Sequence, residues 1–194
     1  MIYNDVIFGT VPTESVNIDL VELSTRLGRQ VDISAPWIQE CIKKCKKSIV
    51  YRYAYVSVPI DLDASKCDFG FSSVESTALS KVLNSYNNAF IMAVTIGINV
   101  DRLISRLAIQ SPSEAFIIDA IASSAVESFA DYINGQLANS HSVGKRFSPG
   151  YSDFPLRFQS QLLERLNAQK TLGIQLSSDL LMTPMKSITA VIGY

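Results

Sequence analysis

Apolar residues recur along this chain with two periods, one of two residues and one near 3.6, which mark strands and helices respectively. Ile49 to Ile60, IVYRYAYVSVPI, alternates Tyr51, Tyr53 and Tyr55 with Arg52, Ala54 and Val56. That alternation of β-rich residues predicts a strand ending at Pro59. The tyrosine row suits ordinary cross-strand packing, and a flat ligand is the other use open to it. AFIMAVT, Ala89 to Thr95, is an unbroken apolar run that predicts a buried strand, closed by Ile96-Gly97. A first strand is expected near Asp5 to Gly9. The C-terminal IQLSSDLLMTPMKSITAVIGY reads as a strand, a turn at Thr183-Pro184 and a last strand over Lys186 to Ile192.

Helical spacing fills the intervals. One helix is expected over Asn17 to Leu27, stopping at Gly28. A second starts near Ser34 with Pro36 in its first turn and carries Trp37, Ile38, Cys41, Ile42 and Cys45 along one side. Ser72 and Glu75 have the spacing of a capping box and predict a helix onward to about Leu83. A short helix is expected near Asp101 to Leu107. Ser111-Pro112-Ser113-Glu114 combines a serine cap, a first-turn proline and a glutamate three after the cap, so the helix it opens should reach about Leu137. The last helix is placed over Pro155 to Gln169, with Asp153 as its N-cap. Strands and helices interleaved in this way, with hairpin-like pairing, predict an α/β or α+β sheet covered by helices.

Composition narrows the class. The chain has 194 residues, 47% hydrophobic and 18% charged, with no internal repeat and no linker that would split it, so a single folded domain over 1–194 is expected. Its 17 basic and 18 acidic residues leave a formal charge of −1, without the basic excess of a nucleic-acid surface. The densest basic run, Lys43-Lys44-Cys45-Lys46-Lys47, reads as the solvated end of a helix. The longest apolar run, Ala89 to Val100, is interrupted by Thr95, Gly97 and Asn99 and is too short to span a bilayer, so no membrane role is expected. Met1 to Asp5 lacks a signal-peptide pattern, and the 3 cysteines form an odd set. Together they predict a cytoplasmic protein with reduced, buried thiols, neither a disulfide framework nor a metal site at Cys41 and Cys45.

No G-x-G-x-x-G, no P-loop and no convincing Ser/His/Asp or Cys/His set is present, and the only histidine, His141, lies on a polar connector and reads as solvated. The candidate chemistry gathers in RFSPGYSDFPL, Arg146 to Leu156. Pro149 fixes its own φ and pushes Ser148 toward extended geometry, while Gly150 is free to take φ > 0. Such a stiff turn can aim backbone groups and the ring of Tyr151 at a ligand, beside the planar fork of Arg146, which suits a carboxylate or phosphate. An arginine that caps a helix or ties down a loop fits the same residues, and chemistry alone leaves both readings open. On the long helix Ala120, Ser123, Ser124 and Glu127 fall near one face. Glu127 is then either a surface carboxylate or an acid set among small neighbours for a cationic ligand group. The strand-to-helix turn Thr95-Ile96-Gly97 could bring backbone amides to a ligand edge, a weak signal by itself.

RFSPGYSDFPL resembles the signature of the activation (S-adenosylmethionine-binding) domain of cobalamin-dependent methionine synthase, above all its stand-alone form with R-F-S-P-G-Y-G-D-x-P-L. AVTIGINVDRLI (93–104), AVESFADYI (125–133) and LMTPMKSITAVIGY (181–194) resemble further blocks of that family in the same order. The likeness covers the chain from about Val50 onward and leaves 1–49 weakly matched. Ser152 stands where the stand-alone form has glycine, and Ile96 where leucine is usual.

The resemblance implies a single α+β domain with a twisted, largely antiparallel sheet covered by helices. It implies that Arg146 holds the carboxylate of S-adenosylmethionine, that Ser148 and Gly150 offer backbone groups around the adenosine, and that Tyr151 lies near the sulfonium. Glu127 would face the amino-acid or ribose end, and Thr95 to Gly97 would form a further wall. The acid that binds the methionyl amine in long methionine synthases has no equivalent that can be placed. The implied function is reductive methylation of cob(II)alamin, carried by a separate methionine synthase that lacks this domain, with an electron from a flavodoxin-like donor, in methionine biosynthesis. Cobalt would be the nucleophile, so no catalytic acid or base on this chain is implied. The alternative is a module that binds S-adenosylmethionine or a nucleoside, or the partner of another corrinoid protein, without methyl transfer of its own.

Overall fold

The computed structural model describes residues 5–28 and 30–194. In chain order the elements are β1 (Ile7–Val11), α1 (Leu20–Leu27), α2 (Pro36–Ser48), β2 (Tyr51–Pro59), β3 (Asp61–Asp63), β4 (Lys66–Asp68), β5 (Ser73–Glu75), α3 (Thr77–Leu83) and β6 (Asn88–Thr95). They continue with α4 (Ile98–Gln110), α5 (Pro112–Ala138), α6 (Gln159–Arg165), α7 (Ala168–Thr171), β7 (Gln175–Leu176), β8 (Met182–Thr183) and β9 (Ser187–Gly193).

The main sheet has the order β1-β2-β6-β9 and is antiparallel throughout. This is the expected α+β architecture, and the period of two explains how each strand serves both faces. Tyr51, Tyr53 and Tyr55 of β2, with Phe90, Met92 and Val94 of β6, pack against α1, α2, α4 and α5. Ala54, Val56 and Val58 of β2, with Ala89, Ile91 and Ala93 of β6, face the opposite layer, made of α3, α6, α7 and the β3-β4-β5 sheet. Helix α5 is the spine of the first layer, with buried residues along nearly its whole length from Ala115 to Leu137. Among the described residues no helix is long and apolar enough to cross a membrane.

Several boundaries follow their local signals. Helix α1 is capped by Asp19, whose carboxylate accepts from the amides of Val21 and Glu22, and it stops at Gly28 with φ 90°. Pro36 opens α2, which buries Ile38, Cys41, Ile42 and Cys45. Trp37 departs from the expectation: it points away from that stripe and is exposed. His141 is exposed, as expected, but sets its ring edge against Phe90 and Tyr194.

Other expectations are corrected. Ser72 to Glu75 does not open a helix. Ser73–Glu75 is strand β5, because Val74 pairs with Cys67 in the small sheet, and α3 begins at Thr77 with Ser76 as its cap. Ser111 makes no side-chain cap for α5, since it is also the C-cap of α4 and its amide donates to Leu107 at 2.7 Å. Glu114 instead takes the Lys44 ammonium at 2.6 Å. The helix expected over Pro155 to Gln169 is broken into a 3-10 turn at Leu156–Phe158, α6 and α7, with Asn167 in the left-handed region at φ 51° between the last two.

Asp153 is corrected too. It does not cap the helix that follows it but crosses the chain to cap α3. Its carboxylate accepts from the Ser76 hydroxyl at 2.6 Å and from the amides of Thr77 and Ala78 at 2.8 and 3.1 Å. The Ser76 hydrogen bond, with help from those amides, holds the Asp153 carboxyl below its ordinary value. A depressed folded-state value means that the contribution to stability is complete above the unfolded carboxylate range. It fades as pH falls below about 4, through the folded value. The pH dependence of the urea midpoint of wild type and Asp153→Asn should therefore converge on acidification, and parallel curves would contradict the cap.

Candidate functional site

Two devices bring Arg146 to the surface of the sheet. Phe147 makes a single antiparallel bridge to Val191 of β9, with N–H to carbonyl distances of 2.9 and 2.8 Å in the two directions. The alternation of an extended chain then sends neighbouring side chains to opposite sides. Phe147, half-buried, packs against the α6 layer, where its ring stacks on Phe154 at 6.0 Å, and Arg146 goes toward α5. The turn that follows is tied by its own backbone: the Tyr151 amide donates to Ser148 at 3.2 Å and the Gly150 amide to Phe154 at 2.8 Å. Gly150 takes φ 93° and Ser152 takes φ 52°.

A positive φ is disfavoured for any residue with a Cβ and free of that cost for glycine. The glycine that the resembling family places at the position of Ser152 is thereby explained. Ser152→Gly should raise stability by up to about 1 kcal/mol, read from the denaturation midpoint. An unchanged or lowered midpoint would mean that the unfolded-state entropy of glycine outweighs the relief.

Between this turn, α5 and the β8–β9 segment lies an open cleft of about 510 Å³. On the α5 side Glu127, Asp131 and Asn134 share one face at spacings of four and three. Arg146 Nη2 stands 3.2 Å from Glu127 Oε2 and 2.8 Å from Asp131 Oδ1. The arginine side chain is 16% exposed, whereas that of Asp131 is 72% exposed, so the cation sits deeper than its acid. The facing wall is Met182, Ser187, Ile188 and Thr189, with buried Gln159 behind it. Ser148, Pro149 and Tyr151 close the third side, with Tyr151 largely exposed at the mouth.

The structure thus brings together Arg146, Ser148, Tyr151 and Glu127. Gly150 shapes the turn but does not line the cleft, and its amide is already taken by Phe154. Thr95 is fully buried behind the wall: its hydroxyl accepts from the Gly97 amide at 3.2 Å and lies 2.9 Å from the Ser187 hydroxyl. Gly97 starts α4 with φ 88° and lies against Val50, outside the cleft.

Outside the Arg146–Tyr151 stretch, the sequence assigned no site role to the lining residues Asp131, Asn134, Lys145, Gln159, Met182, Ser187, Ile188 and Thr189. Asp131 had a signal, since it lies four residues beyond Glu127 and so on the same helix face. Met182, Ser187, Ile188 and Thr189 lie in the 181–194 block that resembles the family, but nothing local marked them as a wall, because a strand residue becomes one only when another element stops short of covering it.

Chemically, the cleft offers the Arg146 guanidinium and the Lys145 ammonium for an anion and two carboxylates for a cation, with hydroxyls and the two amides of Asn134 and Gln159 for neutral polar groups. Its lining holds no cysteine or histidine. The cysteines Cys41, Cys45 and Cys67 are buried elsewhere, and burial pushes the thiols of Cys45 and Cys67 up to about 12 and about 11. Among the described residues no group of three or more His, Cys, Asp or Glu side chains is placed to hold a metal ion.

No family model matches this chain, and no curated protein matches it. A solved structure does: the crystal structure of the MetH reactivation domain bound to AdoHcy. The two superpose with a TM-score of 0.72 at 14% sequence identity, over 97% of this chain and 78% of that one. At that identity the likeness speaks for the fold, and the chain has the reactivation-domain fold that its sequence motifs resemble.

Proposed function

We propose that this chain binds S-adenosylmethionine in the Arg146 cleft and serves as a reactivation subunit for a cobalamin-bearing methionine synthase that lacks this domain. One observation carries the reading: the guanidinium of Arg146 is held inside a concave site with two carboxylates and an aromatic mouth. S-adenosylmethionine has the complementary charges, a carboxylate, an ammonium and a sulfonium on a polar nucleoside. The cleft volume of about 510 Å³ lies within the range of small-molecule sites. A solved protein of this fold is bound to AdoHcy, the demethylated form of the same ligand.

In this reading Arg146 takes the ligand carboxylate through its fork. Glu127 and Asp131, relieved of part of their hold on Arg146, face the ligand's cationic groups. Tyr151 offers its ring near the sulfonium. Ser187 and Thr189 serve the nucleoside. A docked partner's cobalamin, reduced by one electron from a flavodoxin-like donor, would supply the nucleophile for the sulfonium methyl, and AdoHcy would be left in the cleft. The residues of this chain bind and orient, and no acid or base is required of them.

Isothermal calorimetry with S-adenosylmethionine and AdoHcy tests the binding step. Saturable one-site heats are expected, and no heat with either ligand overturns the reading. Methyl-labelled ligand mixed with a domain-lacking synthase and reductant tests the second step. Label should reach the cobalamin. Binding without transfer would leave a nucleoside-binding module instead.

A further inference from the structure

We infer that Asp101 is a positioning residue for the cleft, acting through the Thr183–Ser187 turn that carries its far wall; this rests on the ligand reading above. Asp101 lies in the first turn of α4, is 8% exposed and does not line the cleft. Its Oδ2 accepts from the Met185 amide at 2.7 Å. Its Oδ1 is buried and has no partner among the described residues. Burial raises its carboxyl, while the Met185 amide and the Lys186 ammonium act in the opposite direction.

The turn is held from three elements at once. Asp101 binds it from α4. Lys186 reaches α5, 2.8 Å from Asp119 Oδ1 and 2.9 Å from Ser123 Oγ. The Ser187 hydroxyl lies 2.9 Å from that of Thr95 on β6 and 2.7 Å from the Pro184 carbonyl. Met182 precedes this turn and Ser187 ends it, and both line the cleft. An orphaned buried carboxylate oxygen is costly to keep. That cost is intelligible when the Met185 amide must be fixed so that the wall stands at ligand distance, where a displacement of about 1 Å weakens what the site can hold. The strand-end residue Thr95 thus serves the cleft from behind the wall, through Ser187.

The test compares wild type, Asp101→Ala and Asp101→Asn. Asparagine keeps an oxygen for the Met185 amide, and alanine does not. S-adenosylmethionine affinity by calorimetry should fall about tenfold or more in Asp101→Ala and stay within about threefold of wild type in Asp101→Asn. Methyl NMR on [13C-methyl]methionine protein without ligand should show the Met182 and Met185 signals displaced in Asp101→Ala and close to wild type in Asp101→Asn. Asp101→Ser, too short to reach the amide, stands in if the alanine variant does not fold. Equal affinities together with unmoved methionine signals in Asp101→Ala overturn the inference, as does an asparagine variant as impaired as alanine. If wild type itself gives no heat, the ligand reading falls and the methionine signals alone decide the role of Asp101.

Discussion

Arg146→Ala should weaken S-adenosylmethionine binding by roughly two orders of magnitude, the largest functional effect expected of any single change in the cleft. The reasoning is electrostatic and geometric. A guanidinium that is 16% exposed keeps much of its charge interaction from being screened, and its fork matches a carboxylate in two hydrogen bonds. Its removal loses those bonds. It also leaves Glu127 and Asp131, one helical turn apart, without their paired cation while they face an incoming carboxylate, and Lys145 alone of the lining then carries a positive charge. Arg146→Lys should keep the charge but lose the fork, and fall between the two, about tenfold below wild type. Calorimetry at fixed ionic strength reads both, with circular dichroism to show that each variant is folded. An alanine variant that binds as wild type does would make Arg146 a tie between the connector and α5, and nothing more.

Phe129→Ala should have the largest effect on stability, a loss of about 3–5 kcal/mol. Phe129 is fully buried on α5, and its ring packs on Tyr51 of β2 with centroids 4.5 Å apart. This pair fastens the long helix to the sheet. Truncation removes the ring's transfer energy and leaves a cavity between two rigid elements that cannot collapse into it. For a chain of this size each kcal/mol shifts the melting temperature by about 2–4 °C, so a fall of roughly 6–20 °C is expected. Urea denaturation should show a lower midpoint with an unchanged slope. Phe129 lies between Glu127 and Asp131 in sequence, yet points to the opposite side of the helix. Where the variant is folded, its ligand affinity should stay near that of wild type. A loss below about 1 kcal/mol would contradict the packing described.

Much of the fold was legible because its signals are local. The alternation in β2 and the unbroken run in β6 were read as strands, and Gly28 and Pro36 stood where helices stop and start. Failures came where a local signal had a distant competitor. Ser72 to Glu75 looked like a helix start, but Val74 is claimed by Cys67 in a hairpin sheet. Ser111 looked like a cap, but the end of α4 occupies it. In the cleft, Arg146, Ser148, Tyr151 and Glu127 were legible because an unusual motif and a small-residue face announced them. Ser187 and Thr189 were not, since hydroxyls in a strand announce nothing by themselves.

By itself the sequence determined where the backbone bends and stiffens, which faces of the strands and helices are apolar, and that a cation stands beside a rigid proline-glycine turn. These depend on dihedral limits and on side-chain spacing, which act over a few residues. Tertiary structure alone decided which acids Arg146 meets, which strand edge walls the cleft, and that Asp153 caps α3 rather than its own helix. Asp101 belongs to the same group, pinning an amide on a turn far along the chain. Each of these is a partnership between segments distant in sequence, set by the order β1-β2-β6-β9 and by how α5 lies against it. A hydrogen-bonding group takes the partner that packing brings within reach, and no pattern within one segment specifies that partner.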